Sequence, residues 1–438
     1  MGDGTLLRDL VGERQWTFQA FSAQFERAAR RVADRDGEPR LARLSVSEPT
    51  YRRWTNGALR TRPGGDVCRV LEELFQRPAA DLFTPAPSIV QRPAAHHDNG
   101  VSELIKEHIA MAARNALRFT SLSGSGVDGE VVGALTSEAA RLAELYPVAP
   151  LHEFIGDLVN LQEITYRLLE SRQRPGAARD LNLVAALSTG LLAKASHDQG
   201  NPQAAMTLSR AAYSAADDAG HDGLKGWVRG IQALTAYWAG WNTRAVDYAL
   251  NAQHPSLTGT VAAWLPALEA RAHAALGDRA SAGEALTRAQ AARERLELSD
   301  LDHFGGLLTF PEAQHAYYQA EALVLVDPGA PEALRAADLA VSSYTDPDAG
   351  HWAFGDEAGS RAHQAVARIA TGDLDGGLEA IEPVLALPPQ QRTHGIAVCV
   401  RRTGDALPAT GPGSPTVANQ MRTALEEFDH TTLKALTQ

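Results

Sequence analysis

The chain has 438 residues, 44% of them hydrophobic and 21% charged, and a net charge of −12. That composition is ordinary for a globular protein long enough for two or three domains, and it excludes disorder for the bulk of the chain. Two cysteines far apart, Cys68 and Cys399, exclude a disulfide framework or a cysteine-rich metal centre, and both are expected as small buried apolar side chains. No stretch approaches the roughly 18 consecutive apolar residues of a membrane span, and the first residues carry no secretory apolar core. A soluble, cytoplasmic chain with no membrane partner is therefore expected.

The net charge is unevenly divided. Residues 1–92 hold 15 arginines against 12 acids, a net of +3, while the remainder carries a net of −15. A basic module on an acidic body is the pattern of a nucleic-acid binder with a separate second function. Arginine is the default cation throughout, with lysine only at Lys106, Lys194, Lys225 and Lys434. Arginine abundance alone therefore carries no weight.

Three zones follow in chain order. In residues 1–83, Leu6, Leu7 and Leu10, then Phe18, Phe21 and Phe25, predict two amphipathic helices. Residues 45–63 read SVSEPTYRRWTNGALRTRP. Ser47 is a helix-capping residue and Pro49 suits a first turn, so a helix is predicted from Glu48. Asn56-Gly57 is a left-handed terminator, which limits that helix to about two turns. It presents Arg52 and Arg53 outward and Tyr51 and Trp54, three apart, inward. Six arginines and one acid, Glu48, fall between residues 40 and 62. A short helix with a polar N-terminal edge and flanking arginines suits a DNA major groove, where arginine can donate a bidentate pair of hydrogen bonds to guanine. Val67, Val70, Leu71, Leu74 and Phe75 form the apolar stripe of a closing helix.

The second zone, 84–100, is rich in proline and small polar residues and is predicted to be a linker. The third, 101–438, is helical almost throughout, with further breaks at 121–130 and 410–415. Gly200, Gly240, Gly277 and Gly372 each separate two helical patterns. Seven residues before them lie Ala193, Ala233, Ala270 and Ala365. Five residues after them lie Ala205, Ala245, Ala282 and Gly377, and twelve after them Ala212, Ala252, Ala289 and Val384. Small residues in register are what closely crossing antiparallel helices require, and glycine supplies the backbone angle of the turn. A further turn is predicted at Asp327-Pro328-Gly329. Val417, Met421, Leu425 and Phe428 share the face of a terminal capping helix.

Two resemblances rest on these residues. The small-residue register, with Gly277-Asp278 and Gly372-Asp373, resembles the tetratricopeptide repeat, which implies a superhelix of helical hairpins with a concave binding face. Ser47, Trp54, Gly57 and Pro63 are similar to the phage-repressor type of helix-turn-helix. That resemblance places Glu48, Pro49 and Arg53 where the family reads bases, with Ser47 at the cap and Arg52 beside them. It places Asn56, Arg60 and Arg62 in the loop that contacts phosphates. The departure is about twenty extra residues between Thr17 and Ser47, so either the second helix is longer or an excursion is inserted. Together with Leu385–Thr393 (LALPPQQRT), the pattern resembles actinobacterial transcription regulators that couple an atypical helix-turn-helix to tetratricopeptide-like repeats. The expected fold is all-α: a helix-turn-helix domain over 1–83, a linker over 84–100, and a repeat domain over 101–438.

No catalytic constellation is present. GSGVDGE lacks the Gly-Lys-Ser/Thr ending of a phosphate-binding loop, and there is no G-x-S-x-G or H-E-x-x-H. His96-His97-Asp98 lacks further ligands nearby. No enzyme and no cofactor are expected. Tyr237, Trp238, Trp241 and Trp264, with His351 and Trp352 in the glycine-rich segment 346–359, are candidate effector contacts. Large aromatics also serve simply to fill a core that alanine leaves open. The expected function is a homodimeric DNA-binding regulator whose repeats bind a peptide or small-molecule effector and carry the dimer contact. The alternative is a helical-repeat scaffold whose N-terminal module does not read DNA.

Overall fold

The computed structural model describes residues 5–13, 18–36, 38–56, 63–75, 77, 79–83, 129–254, 256–409 and 416–436, and every regular element among them is helical. Contacts divide the chain into two compact units, Met1–Lys106 and Glu107–Gln438. The predicted linker, the His96-His97-Asp98 run and the 410–415 break lie outside the described residues. Of the predicted break at 121–130, Gly129 and Glu130 open a helix instead, and the rest also lies outside them.

In the first unit, α1 is Leu6–Glu13, α2 Phe18–Asp36, α3 Glu48–Thr55, α4 Gly65–Phe75 and α5 Ala79–Leu82. Phe21 and Phe25 are fully buried, with Leu7, Val70 and Leu71, because each lies on the apolar stripe of its own helix. The extra residues before α3 are accounted for in two ways. The second helix is long, and a single 3-10 turn, Leu41–Arg43, follows it and buries Leu41 against Val32 and Ala33.

One detail of α3 differs from expectation. Ser47 stands at the N-cap, but its hydroxyl pairs with Thr50 Oγ1 at 2.9 Å and caps no backbone N–H. Asn56 is the last described residue of the turn at φ −93°, and Gly57, where the left-handed angle is expected, lies outside the described residues. The last carbonyls are met from another element: Thr5 Oγ1 donates to the Trp54 carbonyl at 2.7 Å and Thr5 N to that of Thr55 at 3.1 Å. Cys399 is buried as expected, whereas Cys68 is only half-buried, its thiol donating to the Pro63 carbonyl at 3.3 Å.

The second unit opens with α6 Gly129–Leu145 and α7 Ile155–Glu170. Five hairpins follow: α8 Pro175–Asp198 with α9 Pro202–Asp218, α10 Asp222–Trp238 with α11 Asn242–Ala252, α12 Val261–Ala275 with α13 Arg279–Glu294, α14 Glu312–Val326 with α15 Pro331–Ser342, and α16 Phe354–Ala370 with α17 Leu374–Leu385. Two further helices, α18 His394–Asp405 and α19 Thr416–Leu436, complete it, and Met421, Leu425 and Phe428 of α19 are buried. Gly200, Gly240, Gly277 and Gly372 turn four of the hairpins at φ +71°, +76°, +76° and +87°, in the left-handed region that a Cβ disfavours. Ala193, Ala205 and Ala212, with their equivalents in the next hairpins, are almost all fully buried, as close helix crossing demands; Ala252 is the half-buried exception.

The first helix of each hairpin packs on the first helix of the next, and α18 comes back to touch α8. The rings of His197 (α8) and His394 (α18) meet edge to face at 6.4 Å. The inner helices α8, α10, α12, α14, α16 and α18 thus encircle a central space, and the second helices form the outside.

Glycines inside the inner helices seat the rings of this wall. A Cβ at Gly230 would fall inside the ring of Trp264, and one at Gly359 against Tyr317. Gly230→Ala is expected to push Trp264 out of its seat and to cost about 1–3 kcal/mol of overpacking. Thermal unfolding followed by tryptophan emission measures this; an unchanged melting temperature would mean that the ring swings aside freely.

Candidate functional site

Two places carry the residues singled out by the sequence. The first is α3. Tyr51 packs on Phe18 and Phe21 at ring-centroid distances of 5.4 and 4.9 Å, and Trp54 on Phe25 and Phe83 at 6.4 and 6.1 Å. These contacts set the helix's rotation, so Ser47, Glu48, Pro49, Arg52, Arg53 and Asn56 all stand exposed. Arg52 Nη2 donates to Glu48 Oε1 at 2.7 Å one turn back. Arg53 reaches the Pro49 carbonyl at 3.3 Å and Thr50 Oγ1 at 3.1 Å. Among the described residues Arg53 and Arg43 pair with no carboxylate, whereas Arg40 and Arg69 both pair with Glu38 and Asp66. Exposed contacts of this kind contribute little and exchange readily for a stronger acceptor. Arg60 and Arg62 lie outside the described residues.

The second place is the space inside the ring of helices, a cavity of about 510 Å³. Of the six aromatic candidates, Trp238, Trp264, His351 and Trp352 line it. Residues 350–353 line it together, with Trp352 Nε1 donating to Glu357 Oε2 at 3.1 Å and the His351 ring meeting the Ser343 carbonyl at 3.1 Å. Tyr237 is buried behind the wall. Trp241 lies outside the cavity, half-buried at the start of α11 against a separate apolar cluster.

Another stretch of wall, 305–309, is pinned from several directions. Trp227 Nε1 donates to the Leu307 carbonyl at 3.1 Å, and Gly306 (φ +49°) approaches the Ala143 backbone so closely that no side chain would fit. Just before it, the buried Asp302 carboxylate accepts from Thr260 N, Ser299 N and both their hydroxyls.

The charged groups in and behind the wall were not singled out from the sequence. Arg271 on α12 is 1% exposed and Glu321 on α14 is fully buried, with Arg271 Nη2 2.6 Å from Glu321 Oε2. Glu321 Oε1 accepts from Tyr237 OH at 2.5 Å and from Arg402 Nη1 at 2.8 Å. Burial alone would raise the Glu321 pKa, but Arg271, His363 and Arg402 outweigh it and hold this carboxyl at about 2. Burial likewise works against the charge of Arg271, which its neighbour Glu321 restores with room to spare. His363, 3.6 Å from Glu321, is driven down by burial and is neutral near pH 7.

Across the cavity, Lys194 Nζ contacts both oxygens of Asp198 at 2.6 Å, and Tyr146 OH donates to Asp198 Oδ2 at 2.7 Å. Burial pushes the neighbouring His197 down to about 3 and Asp356, also on the wall, up to about 6. A signal for Arg271 and Glu321 did exist. Glu321 interrupts AYYQAEALVLV, a stretch otherwise apolar almost all round, and Arg271 lies with Glu269 and His273 in the largely apolar WLPALEARAHAA, where a charge has to find a buried partner.

Among the described residues no group of three or more His, Cys, Asp or Glu side chains is placed to hold a metal ion. No helix among them is long and apolar enough to cross a membrane. No protein-family model, no curated protein and no solved structure matches the chain.

Proposed function

We propose that the chain is a cytoplasmic DNA-binding transcription regulator of the helix-turn-helix type, joined to a tetratricopeptide-like superhelix that receives an effector. The observation that carries the reading is α3: a two-turn helix locked in rotation by Tyr51 and Trp54, presenting to solvent Pro49, Arg52 and an Arg53 that pairs with no carboxylate among the described residues. The aromatic-walled cavity supports the effector half of the reading, and its volume of about 510 Å³ suits a small molecule better than a peptide. The repeats act by binding, without catalysis. One such helix reads only a few base pairs, so a homodimer on paired half-sites is the working form, with effector occupancy shifting the spacing its two reading helices reach.

Genome-wide mapping of bound DNA, followed by titrations on a recovered site, tests this. Arg53→Ala is expected to weaken binding to that site by about 1–3 kcal/mol while leaving random DNA less affected. Equal loss on both would remove the base-reading role. Affinity should also fall steeply with salt as phosphate contacts are screened. Flat salt dependence would favour a protein-interaction scaffold.

A further inference from the structure

Arg271 is the charge in the cavity wall whose hydrogen bonds are least complete. Its Nη2 lies 2.6 Å from Glu321 Oε2, yet Nε, Nη1 and Nη2 are all buried with no hydrogen-bond partner among the described residues. Tyr318 and Tyr237 cover the guanidinium, their ring centroids 4.0 and 4.5 Å from Cζ. Rings stacked on a guanidinium occupy its faces and leave its in-plane N–H groups to seek an acceptor at the edge. Buried donors without acceptors are costly, so a group on this wall that keeps its donors open is prepared for something that enters.

The charge count points the same way. Arg271 and Arg402 share the single carboxylate of Glu321, and His363 beside them is neutral, so this buried cluster holds one positive charge in excess. Lys194 is neutralised by Asp198. The wall carries two further carboxyls: Glu144 is exposed, so water screens it, and Asp356, which burial already lifts to about 6, takes a proton readily beside an incoming anion. A phosphate ester, with up to two negative charges and a need for several donors, is poorly matched to one excess cation. The rest of the wall offers apolar and aromatic surface, including Ile231, Leu234, Trp264, Phe354 and Ile396.

We infer that the cavity binds a small, mostly apolar monocarboxylic acid, its carboxylate received by the open donors of Arg271 and its body held among Trp238, Trp264 and Tyr317. This rests on the reading of the second unit as an effector receptor and names the chemical class it receives. At about 510 Å³ the space suits a drug-sized molecule.

The test is titration of the full chain with benzoate, 2-naphthoate and pyrene-1-carboxylate, each beside its neutral carboxamide, and with pyrenemethylammonium, all read by tryptophan quenching. At least one carboxylate is expected to bind about tenfold to a hundredfold more tightly than its carboxamide, the value of a buried charge-assisted hydrogen bond. The ammonium should bind no better than the carboxamides. Arg271→Gln should fold, because Arg402 still matches Glu321, and should bring the ratio to about one by removing the charged donor. Equal affinities in the wild-type chain, preference for the ammonium, or no binding by any carboxylate would overturn the proposal, whether or not the variant folds. Salt-dependent DNA retention, measured on the same samples, reports on the regulator reading separately, since either result can fail while the other stands.

Discussion

Glu321→Gln is expected to lower the unfolding free energy of the second unit by about 3–5 kcal/mol, the cost of leaving buried charge without its partner. The shape of the side chain is kept and only its charge is lost. Arg271 and Arg402 then face each other's field with no carboxylate between them, and Tyr237 OH loses an ionised acceptor. Urea unfolding followed by tryptophan emission measures the difference. A loss below about 1 kcal/mol, the scale of an exposed ion pair, would mean that water reaches the cluster and screens it. The same carboxylate makes a pH prediction. Its folded pKa of about 2 lies below the ordinary value of 4.5, so it contributes stability that is present above 4.5 and lost as the pH falls through about 2. Glu321→Gln should flatten that acid limb.

Trp54→Ala is the second large effect, with an expected cost of about 3–5 kcal/mol to the first unit. Trp54 is 5% exposed and its ring is what holds α3 against Phe25 of α2 and Phe83 beyond α5. A domain of this size has about 5–15 kcal/mol in all, so the substitution removes a large share of its stability. Loss of near-ultraviolet circular dichroism from this unit and loss of binding to all DNA sequences should occur together. Arg53→Ala differs by leaving the fold intact and affecting the specific site most. If Trp54→Ala bound DNA normally, the orientation of α3 would not matter and the reading surface would have to lie elsewhere.

Much of the helical content was legible because its determinants are local. Apolar spacing placed α1, α2, α4 and α19, and Pro49 placed the start of α3. Particular side-chain contacts were less legible. Thr5 meets the last carbonyls of α3 from outside the helix, a contact that no pattern around residue 56 foretells. Ser47 spends its hydroxyl on Thr50. Among the aromatics, sequence could nominate Tyr237 and Trp241 beside Trp238 and Trp264, but not separate them. Glycines seat rings that face the cavity and rings that do not, Trp264 at Gly230 and Trp227 at Gly190, so packing across the helices decides which ring lines it.

By itself, then, the amino-acid order determined the units of this protein: helices of a given length, and hairpins turned at Gly200, Gly240, Gly277 and Gly372, where only glycine takes the backbone angle without strain. Tertiary structure decided the closure of the hairpins from α8 round to α18, and with it the cavity. The rotation between successive hairpins is small and is set by many side-chain contacts at once, so its sum cannot be read from any one repeat. It decided the charge of the buried cluster behind that cavity too. Glu321 and Arg402 are 81 residues apart, and only the closed ring brings them together beside Arg271 with one positive charge left over.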